Sequence, residues 1–168
     1  MFIQKADIEH IPIIRQIAQN TWPDTFGAIL SPTQIEYMLQ MMYSEDALKQ
    51  QIQTLGHTFL LTGYAQSYTG YVSYEISMAQ IAETKIHKLY VLPTEQGKKY
   101  GLKLMQAVEE AALQQQQTSL LLNVNRYNKA IKFYQNYGFK IIKTEDIAIG
   151  NGFLMEDYVM RKSLIDKP

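Results

Sequence analysis

TKIHKLYVLPTEQGKKYGLKLMQAVEEAA, residues Thr84–Ala112, is the part of the sequence around which the predicted fold is arranged. Its first part, 86–92, is a short apolar run of large and β-branched residues, which predicts a strand. Pro93 ends that strand because proline has no N–H to donate to a neighbouring strand. After the polar turn 96–101, apolar residues recur every three or four positions, which predicts an amphipathic helix. The stretch is therefore a strand, a glycine-containing turn and a helix in succession.

The predicted turn is a candidate anion site. The first N–H groups of a helix have no partner within the helix, and the helix dipole makes that end positive. A strand, a turn and a helix N-terminus in this order can therefore hold a phosphate group. The same arrangement also serves simply to cross from one strand to the next, so this stretch leaves both uses open. The turn matches neither G-x-G-x-x-G nor G-x-x-x-x-G-K-[ST], which argues against the dinucleotide and P-loop classes.

Length and charge limit the classes of protein that the chain can represent. Its 168 residues predict a single domain, 1–168, with enough residues for a hydrophobic core. Lysine plus arginine equals aspartate plus glutamate, at 16 each. A balanced charge argues against a broad nucleic-acid-binding surface and against binding to an acidic membrane.

Cysteine and histidine usage excludes further classes. There is no cysteine, which removes disulfides, cysteine metal sites and a cysteine nucleophile. The three histidines, His10, His57 and His87, lack the spacing of metal ligands, so no metal is expected. No apolar run approaches the ~20 residues of a membrane span. The N-terminus lacks the apolar core of a signal peptide, so a cytoplasmic location is expected.

The remaining pattern predicts an α+β fold with a mixed sheet. The predicted order is a strand, helices, three strands, a helix, a strand, a helix and two strands. Pro23 and Gly27 are expected to interrupt the first helix within the segment 20–27. A strand-like run, 58–63, and an alternating run, 70–76, predict an antiparallel hairpin.

The turn 96–101 resembles the acetyl-CoA loop of the GNAT N-acetyltransferase superfamily, whose pattern is Q/R-x-x-G-x-G/A. Gln96 and Gly101 occupy the first and last positions, and Lys99 stands where the middle glycine is usual. A side chain there is expected to crowd the pyrophosphate or to impose a less favourable backbone angle. Lys98 and Lys99 are expected to bring positive charge toward the phosphates.

The run 128–139, NKAIKFYQNYGF, resembles the second GNAT signature, N-x-x-A-x-x-x-Y-x-x-x-G-F. Ala130, Tyr134, Gly138 and Phe139 stand in the order of that signature. The run follows the first motif with one predicted strand in between, as in the family. The resemblance implies a three-layer fold with a mixed, mostly antiparallel central sheet and helices on both of its faces.

The resemblance implies that the protein transfers an acetyl group from acetyl-CoA, as cosubstrate, directly to an amine. In the family, loop N–H groups hold the pyrophosphate, and a central-strand N–H near Tyr90 or Val91 stabilises the oxyanion. Asn128 would bond the pantetheine arm, and it is also a natural helix N-cap. The residues that the resemblance places at the cofactor are Leu89, Tyr90, Val91, Gln96, Gly97, Lys98, Lys99, Tyr100, Gly101, Leu102, Asn128 and Tyr134.

Acetyl transfer to an amine needs a base and an acid. Deprotonating an alkyl ammonium at pH 7 costs ~4–5 kcal/mol if the site does not lower its pKa. The resemblance implies that Tyr134 protonates the leaving sulfur, whereas helical spacing alone would make it a core residue. His87 and Glu75, on neighbouring predicted strands, are the candidates for the base. A lone strand histidine is usually structural, and Glu75 could equally attract a cationic amine.

The N-terminal segment 21–27 resembles bacterial polyamine acetyltransferases of the spermidine/spermine type. Trp22, Asp24 and Phe26 are the candidate substrate-binding residues, although a lone tryptophan is more often a packing residue. The primary hypothesis is therefore an N-acetyltransferase that acts on a small amine. A protein N-terminus or lysine as acceptor remains an alternative, as does a non-catalytic CoA-binding module. Monomer and homodimer both remain open.

Overall fold

The computed structural model describes residues 1–77 and 81–165. The helices are α1 (Ile11–Phe26), α2 (Pro32–Tyr43), α3 (Glu45–Gln53), α4 (Tyr100–Gln114) and α5 (Ala130–Asn136). The strands are β1 (Phe2–Lys5), β2 (Thr58–Tyr64), β3 (Ser67–Ile76), β4 (Glu83–Val91), β5 (Ser119–Asn125), β6 (Lys140–Gly150) and β7 (Phe153–Ser163). Short 3₁₀ turns precede α1 at Ile8–His10 and follow β4 at Pro93–Glu95.

The seven strands form one sheet in the order β1-β2-β3-β4-β5-β7-β6. Its neighbouring strands are antiparallel except for β4 and β5, which are parallel. The parallel pairing is short, because it runs only from Glu83 opposite Ser119 to Ile86 opposite Leu122. The predicted mixed, mostly antiparallel sheet is confirmed, and it is split at its centre.

Apolar side chains form a core on each face of the sheet. Buried residues of α1, α2 and α3 pack on Phe59, Leu61 and Tyr71 on one face. Buried residues of α4 and α5 pack on the other face, which carries Val72 and Leu120 among others. Helices on both faces give the predicted three layers. No helix in the two described ranges is long and apolar enough to cross a membrane.

The predicted break of the first helix is wrong, because α1 continues through Pro23 to Phe26. Proline within a helix removes one backbone hydrogen bond and crowds the preceding turn. Trp22 and Phe26 lie on the buried side of this last turn. Burial of two aromatic side chains contributes about 1.5–3 kcal/mol each, which is enough to offset the ~3 kcal/mol that an internal proline costs.

The predicted hairpin, 58–63 with 70–76, is longer in the structure. The turn between β2 and β3 contains only residues 65–66, because Tyr64 pairs with Ser67. Ala65 takes a left-handed conformation there, with a φ of 53°. The last two predicted strands are β6 and β7, and they form a hairpin that pairs as far as Gly150 and Phe153.

A β-bulge in β4 sets the direction of the side chains beside the split. Ser73 lies opposite Lys88 and Tyr74 lies opposite Ile86, so His87 is an extra residue in β4. A bulge of this kind turns two consecutive side chains toward the same face of a sheet. His87 and Lys88 therefore both lie on the face that α1 and α3 cover.

Candidate active site

A cavity of about 930 Å³ lies where β4 and β5 separate. The ends of these strands, 86–91 and 122–125, line it together with parts of α1, α5 and the turn before α4. Within the described residues, β4 and β5 do not pair beyond Ile86 and Leu122. Backbone N–H and C=O groups on the facing strand edges are therefore open to the cavity.

The turn that precedes α4 has a glycine-like backbone at two positions. Gly97 has a φ of 81°, and Lys99 has a φ of 69° and a ψ of 10°. The expected effect of Lys99 on the backbone is therefore present, because a non-glycine residue adopts the left-handed conformation. Gln96 Nε2 donates to Val91 O at 3.2 Å and ties the turn to β4.

Most of the predicted loop residues line the cavity. They are Gln96, Gly97, Lys99, Tyr100, Gly101 and Leu102. Lys98 does not line it, and its Nζ lies 3.0 Å from Glu95 Oε1 instead. Of the two loop lysines, only Lys99 therefore contributes to the cavity wall.

The N-terminus of α4 fits a phosphate-bearing ligand. No side-chain cap satisfies the first N–H groups, and no acidic residue lies in the first turn of this helix. A side chain at Gly97 would meet no atom within 4 Å, so the space beside the turn is open. Unpaired N–H groups at the positive end of a 15-residue helix form an anion site.

Tyr134 lies on α5 with 8% of its surface exposed, and it lines the same cavity. Its ring packs edge-to-face on Phe133 and Phe139, with centroids 5.4 and 5.9 Å away. Burial raises the pKa of the Tyr134 hydroxyl above its usual range, so this hydroxyl stays protonated. A protonated hydroxyl on a ring fixed by packing therefore lies beside the split.

Asn128 lies just before α5 and lines the cavity. Its Oδ1 accepts a hydrogen bond from Ala130 N at 2.8 Å, so the side chain caps the start of the helix. It stands two residues before Ala130, one fewer than in the GNAT signature. The amide nitrogen of the capping side chain is the atom that could bind a ligand.

His87 and Glu75 contact each other. His87 Nε2 lies 3.2 Å from Glu75 Oε2, which is possible because the bulge turns His87 toward β3. Burial, followed by the charges of Lys88 and Lys85, lowers the pKa of His87 to about 4. His87 lines the cavity, whereas Glu75 does not.

The sequence analysis did not foresee that His57 joins this pair. His57 Nε2 lies 4.0 Å from Glu75 Oε2, and its ring stacks on His87 with centroids 3.9 Å apart. Three potential metal-binding atoms thus lie within 4.8 Å of one another. The ring planes differ by only 12°, so one ion cannot lie in both planes as the rings stand. The arrangement suits two neutral stacked imidazoles better than a metal centre.

The three predicted substrate residues all line the cavity from α1. Trp22 is 2% exposed and packs on Phe26, Tyr43 and Tyr90 at centroid distances of 4.6, 5.8 and 6.0 Å. Asp24 is exposed at the cavity rim. Trp22 is therefore both a packing residue and part of the cavity wall.

The sequence analysis missed Asp157, a carboxylate of β7 that lines the cavity with only 3% of its surface exposed. Burial raises the pKa of its carboxyl group. A signal was present in the sequence, because Asp157 alternates in phase with Met155 and Val159. A charged residue on an apolar strand face needs a partner or a function.

Residues 28–162 match the family model described as an acetyltransferase (GNAT) domain, and the geometry above agrees with that match. The chain belongs to the GNAT acetyltransferase family. This assignment confirms the predicted enzyme class, N-acetyltransferase, and acetyl-CoA as cosubstrate.

Curated relatives match almost the whole chain. The chain is similar to a spermidine N(1)-acetyltransferase of Thermoplasma acidophilum, with 29% identity over 92% of this chain and 94% of that protein. It is also similar to an uncharacterized N-acetyltransferase in the pepI 3' region of Lactobacillus delbrueckii subsp. lactis, with 26% identity over 97% of each chain.

Solved structures share the fold. The PaiA N-acetyltransferase of Thermoplasma acidophilum, in complex with coenzyme A, aligns with a TM-score of 0.80 and 24% identity. The alignment covers 97% of this chain and 99% of that one. A GCN5-related N-acetyltransferase structure from Rhodopseudomonas palustris aligns with a TM-score of 0.81 and 19% identity, over 96% and 94% of the two chains. At these identities the likeness concerns the fold alone.

Proposed function

We propose that this GNAT enzyme transfers the acetyl group of acetyl-CoA to a primary amine of a small cationic molecule, such as spermidine or spermine. One observation carries the proposal. A single cavity at the split between β4 and β5 combines the anion-binding turn, Tyr134 and an aromatic wall with acidic groups. The similarity to a spermidine N(1)-acetyltransferase supports the choice of acceptor.

The turn before α4 supplies the phosphate-binding part of the site. Open N–H groups at the start of α4 and the Lys99 side chain offer hydrogen bonds and positive charge to the pyrophosphate. The open edge of β4, from Leu89 to Val91, offers backbone hydrogen bonds to the extended part of acetyl-CoA. One N–H near Tyr90 or Val91 is the proposed donor to the oxyanion.

Tyr134 is the proposed acid. A thiolate leaving group resembles cysteine, with a pKa of ~8.5, and gains a proton from a nearby donor. The Tyr134 hydroxyl is buried and protonated, and it lines the cavity. The tyrosine gives its proton to the sulfur as the carbon–sulfur bond breaks, and the proton released from the new amide nitrogen restores it through solvent.

His87, which the sequence already offered as a candidate, is the proposed base that takes a proton from the amine. Glu75 orients its ring. The neutral His87 ring can accept a proton, and Glu75 then stabilises the charged ring across 3.2 Å. The lowered pKa of about 4 makes His87 a weak base. The contact with Glu75 orients the His87 ring without making it a strong base.

The residues of α1 are the proposed wall for the acceptor. Trp22 and Phe26 give the apolar surface that the methylene segments of a polyamine need. Asp24 lies at the rim, where it can pair with a second ammonium group of a longer molecule. An aromatic and acidic wall favours a long cation over an uncharged amine.

This function is tested by measuring the free CoA thiol that acetyl-CoA releases when each of a panel of amines is offered as acceptor. We expect turnover with spermidine and spermine and little with a peptide that carries a free N-terminus and a lysine. Turnover only with the peptide would show that the acceptor is a protein and not a small amine. Tight binding of acetyl-CoA without turnover on any acceptor would show that the protein is a non-catalytic CoA-binding module.

A further inference from the structure

We propose that Asp157 binds the ammonium group of the acceptor and thereby restricts the site to amines that carry a positive charge. This inference rests on the proposed function, because it names the residue that recognises the acceptor of that reaction.

The sheet places Asp157 beside the split. It lies opposite Asn125, the last residue of β5, and β5 has already left β4 at that point. Met155, in phase with Asp157 on β7, packs in the core under α1, α2 and α3. Asp157 therefore faces the half of the cavity that α1 walls, which is the proposed acceptor half.

The carboxylate of Asp157 is buried without a cationic partner. Among the residues that the structure describes, no lysine or arginine nitrogen lies within 4.0 Å of it. The nearby cations have other partners, since Lys85 donates to Asn123 and Arg126 pairs with Asp146. A buried charge that lacks a partner is unfavourable, so an ammonium group is a fitting ligand for this position.

The charges around Asp157 are mixed. Burial raises the pKa of its carboxyl group most, and Glu145 on β6 raises it further. Hydrogen bonding with Asn123 and the charges of Lys85 and Arg126 act in the opposite direction. These neighbours moderate the cost of burial, but none of them is a cation paired with the carboxylate.

The groups of the proposed reaction lie close to this carboxylate. Tyr90, Tyr134 and Asp157 all line the cavity at this gap. Burial, followed by the charges of Tyr43, Tyr134 and Asp157, raises the pKa of the Tyr90 hydroxyl. An amine held by Asp157 would thus lie on the α1 side of the gap, across from Tyr134. The Trp22 and Tyr90 rings, 6.0 Å apart, border the same space and can attract a cation through their faces.

Calorimetry of amine binding to the CoA-loaded protein tests the proposal without turnover. Asp157→Asn keeps the size of the side chain and removes its charge. We expect spermidine and propylamine to bind this variant at least tenfold more weakly than wild type, with the dissociation constant for CoA changed less than twofold. An unchanged affinity for both amines would overturn the proposal.

Glu156→Gln is the matched control. Glu156 is the next acidic residue, on the opposite face of β7, and it does not line the cavity. We expect it to bind spermidine as wild type does. Equal losses in both variants would mean that the general charge of β7 matters rather than the Asp157 contact, which contradicts the proposal.

A comparison of two ligands on the wild-type protein tests the proposal even if a variant fails to fold. Propylamine is charged at neutral pH, whereas aniline is not. We expect propylamine to bind at least tenfold more tightly than aniline to wild type, and Asp157→Glu to keep part of this preference. Equal binding of the two amines would overturn the proposal even if thiol release with other acceptors upholds the acetyltransferase function. Absence of thiol release together with Asp157-dependent binding would overturn only the proposed reaction.

Discussion

At the residue scale, burial keeps the proposed catalytic groups in defined protonation states. The Tyr134 hydroxyl stays protonated and the His57 and His87 rings stay neutral, because the low-polarity surroundings disfavour their charged forms.

Tyr134→Phe removes only a hydroxyl group. We expect turnover to fall ~10²-fold or more, the usual effect of losing a general acid. The affinity for acetyl-CoA and the melting temperature should change little, because the aromatic packing on Phe133 and Phe139 remains. Tyr137→Phe is the control, since Tyr137 donates to Glu109 at 2.6 Å and does not line the cavity. A fall of less than about threefold for Tyr134→Phe would refute its role as acid.

Lys99→Gly tests the glycine-like turn. Because Lys99 holds a φ of 69°, we expect glycine to stabilise the protein by up to ~1 kcal/mol while acetyl-CoA binding is retained. Lys98→Gly should not stabilise, since Lys98 has no positive φ. Chemical denaturation measures both variants. A destabilised Lys99→Gly would show that the lysine side chain contributes more than its backbone conformation costs.

The two stacked histidines predict a loss of stability in mild acid. Burial lowers the pKa of His57 and of His87 to about 4, from 6.5. The unfolded chain therefore binds protons that the folded protein does not, and stability falls as pH drops below about 6.5. Melting curves between pH 7.5 and 5 measure this slope. We expect a shallower slope in the His57→Gln, His87→Gln double variant, and an equal slope would contradict the explanation.

At the element scale, two irregularities create the site. The split between β4 and β5 opens the cavity, and the bulge at His87 turns this side chain toward Glu75. Because α1 continues through Pro23, the cavity residues Trp22 and Phe26 lie on one helical turn. Regular elements would bury the same residues but leave no space between the central strands.

Pro23→Ala tests how α1 tolerates its proline. Pro23 is exposed, and alanine restores the backbone hydrogen bond that proline lacks. We expect the free energy of unfolding to rise by about 1–2 kcal/mol, less than the full helix penalty because proline also restricts the unfolded chain. Pro32→Ala, at the first position of α2, should give no such gain, since proline suits that position. Equal changes in the free energy of unfolding for the two variants in urea denaturation would show that Pro23 does not destabilise α1.

At the scale of the whole molecule, the proposed cofactor site lies between the two halves of the sheet. The proposed cofactor contacts come from β4, the turn before α4 and α5, so ligand binding should stabilise the domain as a unit. A ligand at 100 times its dissociation constant adds ≈ 2.7 kcal/mol to the stability of a folded protein. We expect acetyl-CoA at that level to raise the melting temperature by roughly 5–10 °C.

Gly101→Glu should abolish most of this shift, because it adds bulk and negative charge at the proposed pyrophosphate position. We expect affinity to fall at least tenfold, ~1.4 kcal/mol. The fold should survive, since a side chain at Gly101 would meet only Phe133 and Val91 atoms at 3.8 and 3.9 Å. Calorimetry gives the dissociation constant, and an unchanged value would refute the loop assignment.

Local patterns in the sequence determined much of this protein. Apolar spacing of two or of three to four residues fixed the type of most elements, because it reflects which side of a strand or helix is buried. The turn 96–101 and the run 130–139 indicated the GNAT fold and the cosubstrate. Gly138, one position of that run, lies just after α5 and has a φ of 104°, a conformation that favours glycine. These features depend on residues close together in the chain.

Only the tertiary structure decided the features that depend on distant residues. Burial of Trp22 and Phe26 keeps Pro23 inside a helix, although proline alone predicts a break. Cross-strand register, rather than local pattern, sets the bulge that brings His87 to Glu75. Asp157 reaches the cavity only because β7 pairs with β5 at the point where β5 leaves β4. Local spacing predicts which face of an element is buried, but the partner across that face is fixed when the elements pack.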